Sequence, residues 1–181
     1  GLPEERIQED YLRILRYFRF FVQYSKVDHE NNIIKYIKKN INGLNLISKE
    51  RIFDEIKKTL SLKNFNKIFL NENSKEIILN IFPQFKYYER LRTFNKLDNR
   101  LKIKFDYTLI LALLIVDQTD NYEFFCYKYK TSNLIKNRCK NIFKHFENLN
   151  NKKFYSEENL KKLIYFFEKD NVTDLLLFST C

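Results

Sequence analysis

The residues with the clearest chemical pattern lie near the start of the chain. The run Arg6-Ile7-Gln8-Glu9-Asp10-Tyr11-Leu12-Arg13-Ile14-Leu15-Arg16-Tyr17-Phe18-Arg19-Phe20 carries four of the nine arginines in the protein. Lysine outnumbers arginine 24 to 9, so drift toward lysine codons has spared these positions. Spacing by three predicts that Asp10, Arg13, Arg16 and Arg19 form a slowly rotating polar strip on one helix, with about 4.5 Å between neighbours. One reading is a helix face laced by Glu9–Arg13 and Arg6–Asp10 pairs, each contributing roughly a few tenths of a kcal/mol.

A second reading gives the strip a task. A carboxylate and a guanidinium one turn apart can present an acceptor and a donor in one plane. The Watson–Crick edge of cytosine or adenine needs that pair, because its exocyclic amine donates beside a ring nitrogen that accepts. Guanine and uracil reverse both groups and would leave the protein partners unpaired, at about 1–3 kcal/mol each. Arginine suits this role better than lysine because its planar fork has fixed geometry. The remaining arginines could then hold phosphates.

Helices must position these groups. Glycine and proline occur twice each in 181 residues, at Gly1, Gly43, Pro3 and Pro83. Strand-rich folds need turn residues every eight to twelve positions and phosphate loops need clustered glycines, so both are excluded. A hydrophobic content of 44% with 17% aromatics excludes disorder. The periodicity predicts an all-α chain, an array of about nine to ten helices. The first runs from Pro3 to about Tyr24, with Ile7, Tyr11, Ile14, Leu15, Phe18 and Val22 on one face. Others are expected at about 29–40 (cap Asp28), from Ser48 to about Leu60, near 62–70, at 75–82 (cap Ser74), and at 84–97 and 105–118. Three more follow at 132–149 (cap Ser132), 157–168 (cap Ser156) and 172–180. Gly43 is read as a turn, and the weakest seams fall near 96–104 and 119–131. The apolar run Leu109–Val116 is eight residues, too short to span a bilayer, and reads as a buried helix.

The arginine run resembles the neck-helix motif of the class II tRNA nucleotidyltransferases, the CCA-adding enzymes and bacterial poly(A) polymerases. A second stretch, Ile47-Ser48-x-Glu50-Arg51-Ile52-x-x-Glu55-x-x-Lys58-x-Leu60, resembles that family's later neck motif. The resemblance covers residues 1 to about 83 and implies an elongated neck, body and tail. It implies that Asp10 and Arg13 read the base of incoming CTP or ATP, that Arg16 and Arg19 help bind the nucleotide, and that Glu9, Glu50, Arg51 and Glu55 support them. The family's metal carboxylates and glycine-rich turn belong to a catalytic head upstream of Gly1, where Mg²⁺ would be held. This chain has no Asp-x-Asp pair and no glycine pair. It starts at Gly1 and contains no methionine, which predicts a stretch cut from a longer protein. The expected division is residues 1–83 as the base-reading neck and 84–181 as an RNA-binding body and tail. Without the head the chain is expected to be inactive alone. The alternatives are a poly(A) polymerase portion or a free-standing helical RNA-binding module.

The charge supports an RNA partner. Basic residues number 33 against 23 acidic, a net +10, which favours a polyanion, although a lysine-rich solvated surface reads the same way. Between Phe124 and Phe146 lie Lys128, Lys130, Lys136, Arg138, Lys140 and Lys144 with no acid, interleaved with Tyr127, Tyr129, Phe143 and His145, aromatics read as core. From Lys86 to Lys104 there are seven cations against Glu89 and Asp98. Such fields suit backbone contacts to folded tRNA. Cys126, Cys139 and Cys181 form no CxxC pair, so they are read as buried thiols in a reducing, cytoplasmic setting with no zinc and no membrane.

Overall fold

A computed structural model of the chain describes residues 2–94, 106–149 and 151–181. The end of the expected 84–97 helix, the 96–104 seam, and Lys96, Arg100, Lys102 and Lys104 lie outside them. The class is all-α, with no strand among the described residues. The chain forms two compact units, one reaching to Pro83 and including Lys128–Lys130, the other comprising Gln84–Tyr127 and Thr131–Cys181.

In the first unit, α1 (Pro3–Glu9) packs on α3 (Asn31–Asn40), and α2 (Arg13–Tyr24) packs on α4 (Lys49–Leu60). Short α5 (Lys67–Leu70) joins α6 (Glu72–Ile81). Ile14, Phe18, Ile37, Ile56, Ile68 and Ile78 are among the residues at the centre, each at most 1% exposed. Burying such side chains stabilises the fold by about 1.5–3 kcal/mol apiece.

The single helix expected from Pro3 to Tyr24 is broken. Asp10 is extended (φ −152°, ψ 99°), and its Oδ1 accepts the Leu12 N–H at 3.2 Å while its carbonyl accepts the Arg13 N–H at 2.9 Å. Aspartate offers the backbone this local alternative to helix, and here the alternative wins. The continuous polar strip is corrected accordingly, because Asp10 precedes α2 rather than lying on its face. Gly43 lies in a 3₁₀ turn (Ile41–Leu46) with no positive φ. Its role is close approach, to the ring of Tyr11.

Two caps also differ. Glu30 rather than Asp28 precedes α3, and the Asp28 carboxylate instead accepts from His29 N–H and Asn71 Nδ2, both at 2.7 Å. Asn71 caps α6 by accepting the Ser74 N–H at 3.0 Å. Ser74 sits one turn in, fully buried, and its Oγ hydrogen bonds with His29 Nε2 at 2.6 Å. His29 Nδ1 in turn meets Tyr17 Oη at 2.8 Å.

In the second unit, α7 (Tyr107–Ile115) is the core, with every residue from Thr108 to Ile115 buried. Asp106 caps its start, accepting the N–H groups of Thr108 and Leu109 at 2.8 and 3.0 Å. The Arg90 guanidinium closes its other end, donating to the carbonyls of Leu113 and Val116 at 3.0 and 2.7 Å. Acid at the start and cation at the end match the helix dipole. Residues 119–131, expected as a seam, contain α8 (Asn121–Lys128). It ends with the Thr131 N–H bonded to the Cys126 carbonyl at 3.1 Å and Lys130 left-handed at φ 48°, where glycine is usual. Next comes α9 (Asn133–Lys144). One helix, α10 (Glu157–Thr180), replaces the two expected across 157–180. Cys126 and Cys139 are buried, while Cys181 is only half-buried. Among the described residues no helix is long and apolar enough to cross a membrane.

Candidate functional site

The arginine run and the second motif meet where α2 packs on α4. The stripe Ile52, Ile56 and Leu60 fixes the buried face of α4, and Glu55 lies between them with its side chain only 4% exposed. A buried carboxylate requires cations, and α2 supplies them. Arg19 Nε lies 3.2 Å from Glu55 Oε2 and Arg16 Nε lies 3.6 Å from Oε1. Lys58 Nζ reaches Oε1 from one turn further along α4 at 3.2 Å.

Arg16 also connects back to the break. Its Nη1 donates to Asp10 Oδ2 at 3.3 Å, and Arg51 Nη2 approaches Asp10 Oδ1 at 3.8 Å. Asp10, Arg16, Arg19, Arg51 and Glu55 therefore form one charged network. Arg13 lies at its edge, paired with Glu9 at 3.0 Å as the helix-face reading expects. The other pair of that reading is replaced, since Asp10 takes Arg16 and Arg51. Arg13 and Arg16 keep about a third of their side-chain surface, at 35% and 37%, so their remaining N–H donors can reach a ligand. Glu50 stands apart, paired with Lys130 at 2.6 Å. Sequence reasoning placed Glu55 in a motif without seeing that it anchors two arginines. The available signal was an acid at the spacing of an apolar stripe.

The basic residues of 124–146 divide. Lys136, Lys140 and Lys144 recur every fourth residue on α9 and are exposed. Lys128 is half-buried against the Tyr129 ring, with Nζ 5.1 Å from its centroid. Arg138 is committed within its own unit. It donates to Asp174 through Nε and Nη2 at 2.6 Å, and to Asp106 at 2.6 Å and Thr108. Among the interleaved aromatics, Tyr129 is buried at 2% but Tyr127 is 86% exposed, so the latter is not core. Among the described residues no group of three or more His, Cys, Asp or Glu could hold a metal ion.

Comparison with known proteins adds a lineage to this geometry. The family model described as "Probable RNA and SrmB- binding site of polymerase A" matches residues 29–88. The chain is 28% identical over 181 residues to a CCA-adding enzyme of Staphylococcus haemolyticus, covering 99% of this chain and 42% of the enzyme. It is 47% identical over 68 residues to the mouse mitochondrial CCA tRNA nucleotidyltransferase 1, 36% of this chain and 16% of that protein. The human counterpart is 50% identical over 62 residues, 33% of this chain and 14% of that protein. The chain thus spans less than half the length of these relatives.

Proposed function

We propose that this chain, which belongs to the class II tRNA nucleotidyltransferase and poly(A) polymerase family, serves as the neck, body and tail of a CCA-adding enzyme. In this reading it selects CTP and ATP by their base edges and holds the tRNA. The observation that carries it is the network at the α2–α4 junction. A buried Glu55 fixes Arg16 and Arg19, and Arg16 and Arg51 hold Asp10 at the start of α2, beside Arg13. Such support holds a base-reading pair in one geometry, as discrimination by hydrogen bonding requires.

The chemistry of the chain itself is recognition. Asp10 would accept from the exocyclic amine and Arg13 would donate to the ring nitrogen. Arg16 and Arg19 would contribute positive charge toward the triphosphate. Mg²⁺, which would neutralise the triphosphate and activate the 3′-hydroxyl, belongs to the upstream head. The exposed lysines of α9 would meet the tRNA backbone, with Arg138 serving the fold instead. A cytoplasmic setting is part of the proposal, and the mouse and human relatives are mitochondrial by name.

The test is nucleotide incorporation into tRNA lacking its 3′ end. The protein joined to its head adds C and A residues from CTP and ATP with release of pyrophosphate, and the chain alone adds none. Incorporation by the chain alone would overturn the assignment of catalysis to the head. A second reading, a poly(A) polymerase portion, is favoured by the description of the matching family model. It predicts extension of generic RNA 3′ ends with ATP only.

A further inference from the structure

We propose that the pocket bounded by Asn42, Asn45, Lys49, Asn80 and Lys128 in the first unit binds a phosphate-class anion, either a backbone phosphodiester of RNA or free phosphate. The RNA source rests on the function proposed above; the anion site does not.

The pocket has a volume of about 280 Å³, and a liquid water takes up about 30 Å³, so there is room for an anion with part of its hydration. Its apolar floor includes Ile52, Ile81 and Pro83, and three asparagine amides and two lysines line the rest. Amide N–H groups and ammonium groups are donors suited to phosphate oxygens.

The charge pattern favours an anion. Several lysines of this unit sit beside acids, Lys38 with Glu76, Lys39 with Glu4 and Lys75 with Glu72, each at 2.7 Å, and Lys67 donates to the carbonyls of Phe21 and Ser25. In this pocket Lys49 and Lys128 are both half-buried and no carboxylate is among the lining residues. Glu50, next in sequence to Lys49, is paired with Lys130 at 2.6 Å. Burial and the charge of Lys49 together push the Lys128 ammonium below its usual pKa. An anion seated between the two cations removes that repulsion and offsets their desolvation, so bound phosphate is the state the pocket favours.

The test compares the full chain with the double variant Lys49→Gln/Lys128→Gln and, as a control of equal charge loss, Lys161→Gln/Lys162→Gln at the exposed start of α10. In the first arm, melting temperature is measured in sodium phosphate against sodium chloride at matched ionic strength. Phosphate is expected to raise the wild-type and α10-control values and leave the pocket variant unchanged. In the second arm, binding of a tRNA lacking its 3′ end is followed from low to high salt. Loss of one phosphate contact is expected to reduce the slope of log K against log salt by about one unit. A slope loss specific to the pocket variant assigns the site to the RNA backbone. An unchanged slope with the phosphate effect abolished assigns it to free phosphate. No phosphate effect in the wild type, with equal slopes for the two variants, overturns the site. If the wild type binds no tRNA, the proposed function fails while the phosphate arm still decides the pocket.

Discussion

The ring of Tyr11 fills the space that a side chain on Gly43 would need, since a Cβ there would lie 2.1 Å from Tyr11 Cδ1. Tyr11 follows Asp10 in the break between α1 and α2, so the 3₁₀ turn and the break are locked together. Gly43→Ala must displace an aromatic ring, and overpacking of this kind costs about 1–3 kcal/mol. The expected result is a lower melting temperature, with impaired nucleotide selection in the protein joined to its head. An unchanged melting temperature would show that Tyr11 moves aside freely.

Asp10→Ala and Arg13→Ala test the base-reading proposal directly. Either change leaves one polar edge of CTP or ATP unmatched, at about 1–3 kcal/mol, or roughly ten- to hundredfold in relative kcat/KM against UTP and GTP. Affinity for tRNA should hold. Equal loss for all four nucleotides, in step with a lower melting temperature, would reduce these residues to supports of the helix.

Glu55→Gln removes the negative charge beneath Arg16 and Arg19. Breaking a fully buried pair costs about 3–5 kcal/mol, but these arginines keep contact with water, so about 1–3 kcal/mol is expected. Denaturant unfolding measures it. A neutral outcome would mean that packing alone holds α2 on α4.

Acid should destabilise the first unit through His29. Burial holds the folded imidazole below its ordinary pKa of 6.5, whereas the unfolded chain takes up the proton at that ordinary value. The stability supplied by the neutral ring is complete above 6.5 and is lost as pH falls through it toward the depressed folded value. Burial also lowers the pKa of His145, so the wild type must be compared with His29→Gln. Melting temperature should fall more steeply in the wild type between neutral pH and pH 5.5, and parallel curves would refute the role of His29.

Arg138→Ala should act on stability rather than on RNA. The side chain bridges Asp106 and Asp174, the latter buried enough that its carboxyl is pushed above its usual pKa. About 2–3 kcal/mol is expected, less than for a fully buried pair because Asp106 is half exposed. Replacing Lys136, Lys140 and Lys144 with alanine should instead flatten the salt dependence of tRNA binding, by up to about one unit per lost phosphate contact. The opposite pattern would exchange the two roles.

What the sequence revealed depended on how local the physics was. The run Leu109–Val116 could only be buried, and the stripe Ile52, Ile56, Leu60 could only face a core. The break at Asp10 was hidden because an unbroken apolar period runs across it, and only the side chain–backbone bond to Leu12 decides against helix. Helix α8 was missed because Asn121, Tyr122, Phe125 and Cys126 are buried beside exposed Phe124 and Tyr127, leaving no clean stripe. Ser74 looked like a cap until Asn71, three residues earlier, took the bond. In the site, the spacing marked Arg16, Arg19 and Glu55, but their pairing depends on α2 meeting α4, which no local pattern encodes. Arg138 looked like one more surface cation because Asp106 and Asp174 are 32 and 36 residues away.

Helix α7 has no end from which to fray. Asp106 takes the first amides, Arg90 takes the carbonyls of Leu113 and Val116, and Asn121 Nδ2 takes that of Ile115 at 2.7 Å. Most helices open turn by turn from a solvated terminus, which gives their outer amides fast exchange with solvent hydrogen. In α7 both termini are held by side chains from outside the helix, two of them from beyond its flanking residues. Opening either end must break those contacts, so slow amide exchange is expected across this short segment of the second unit.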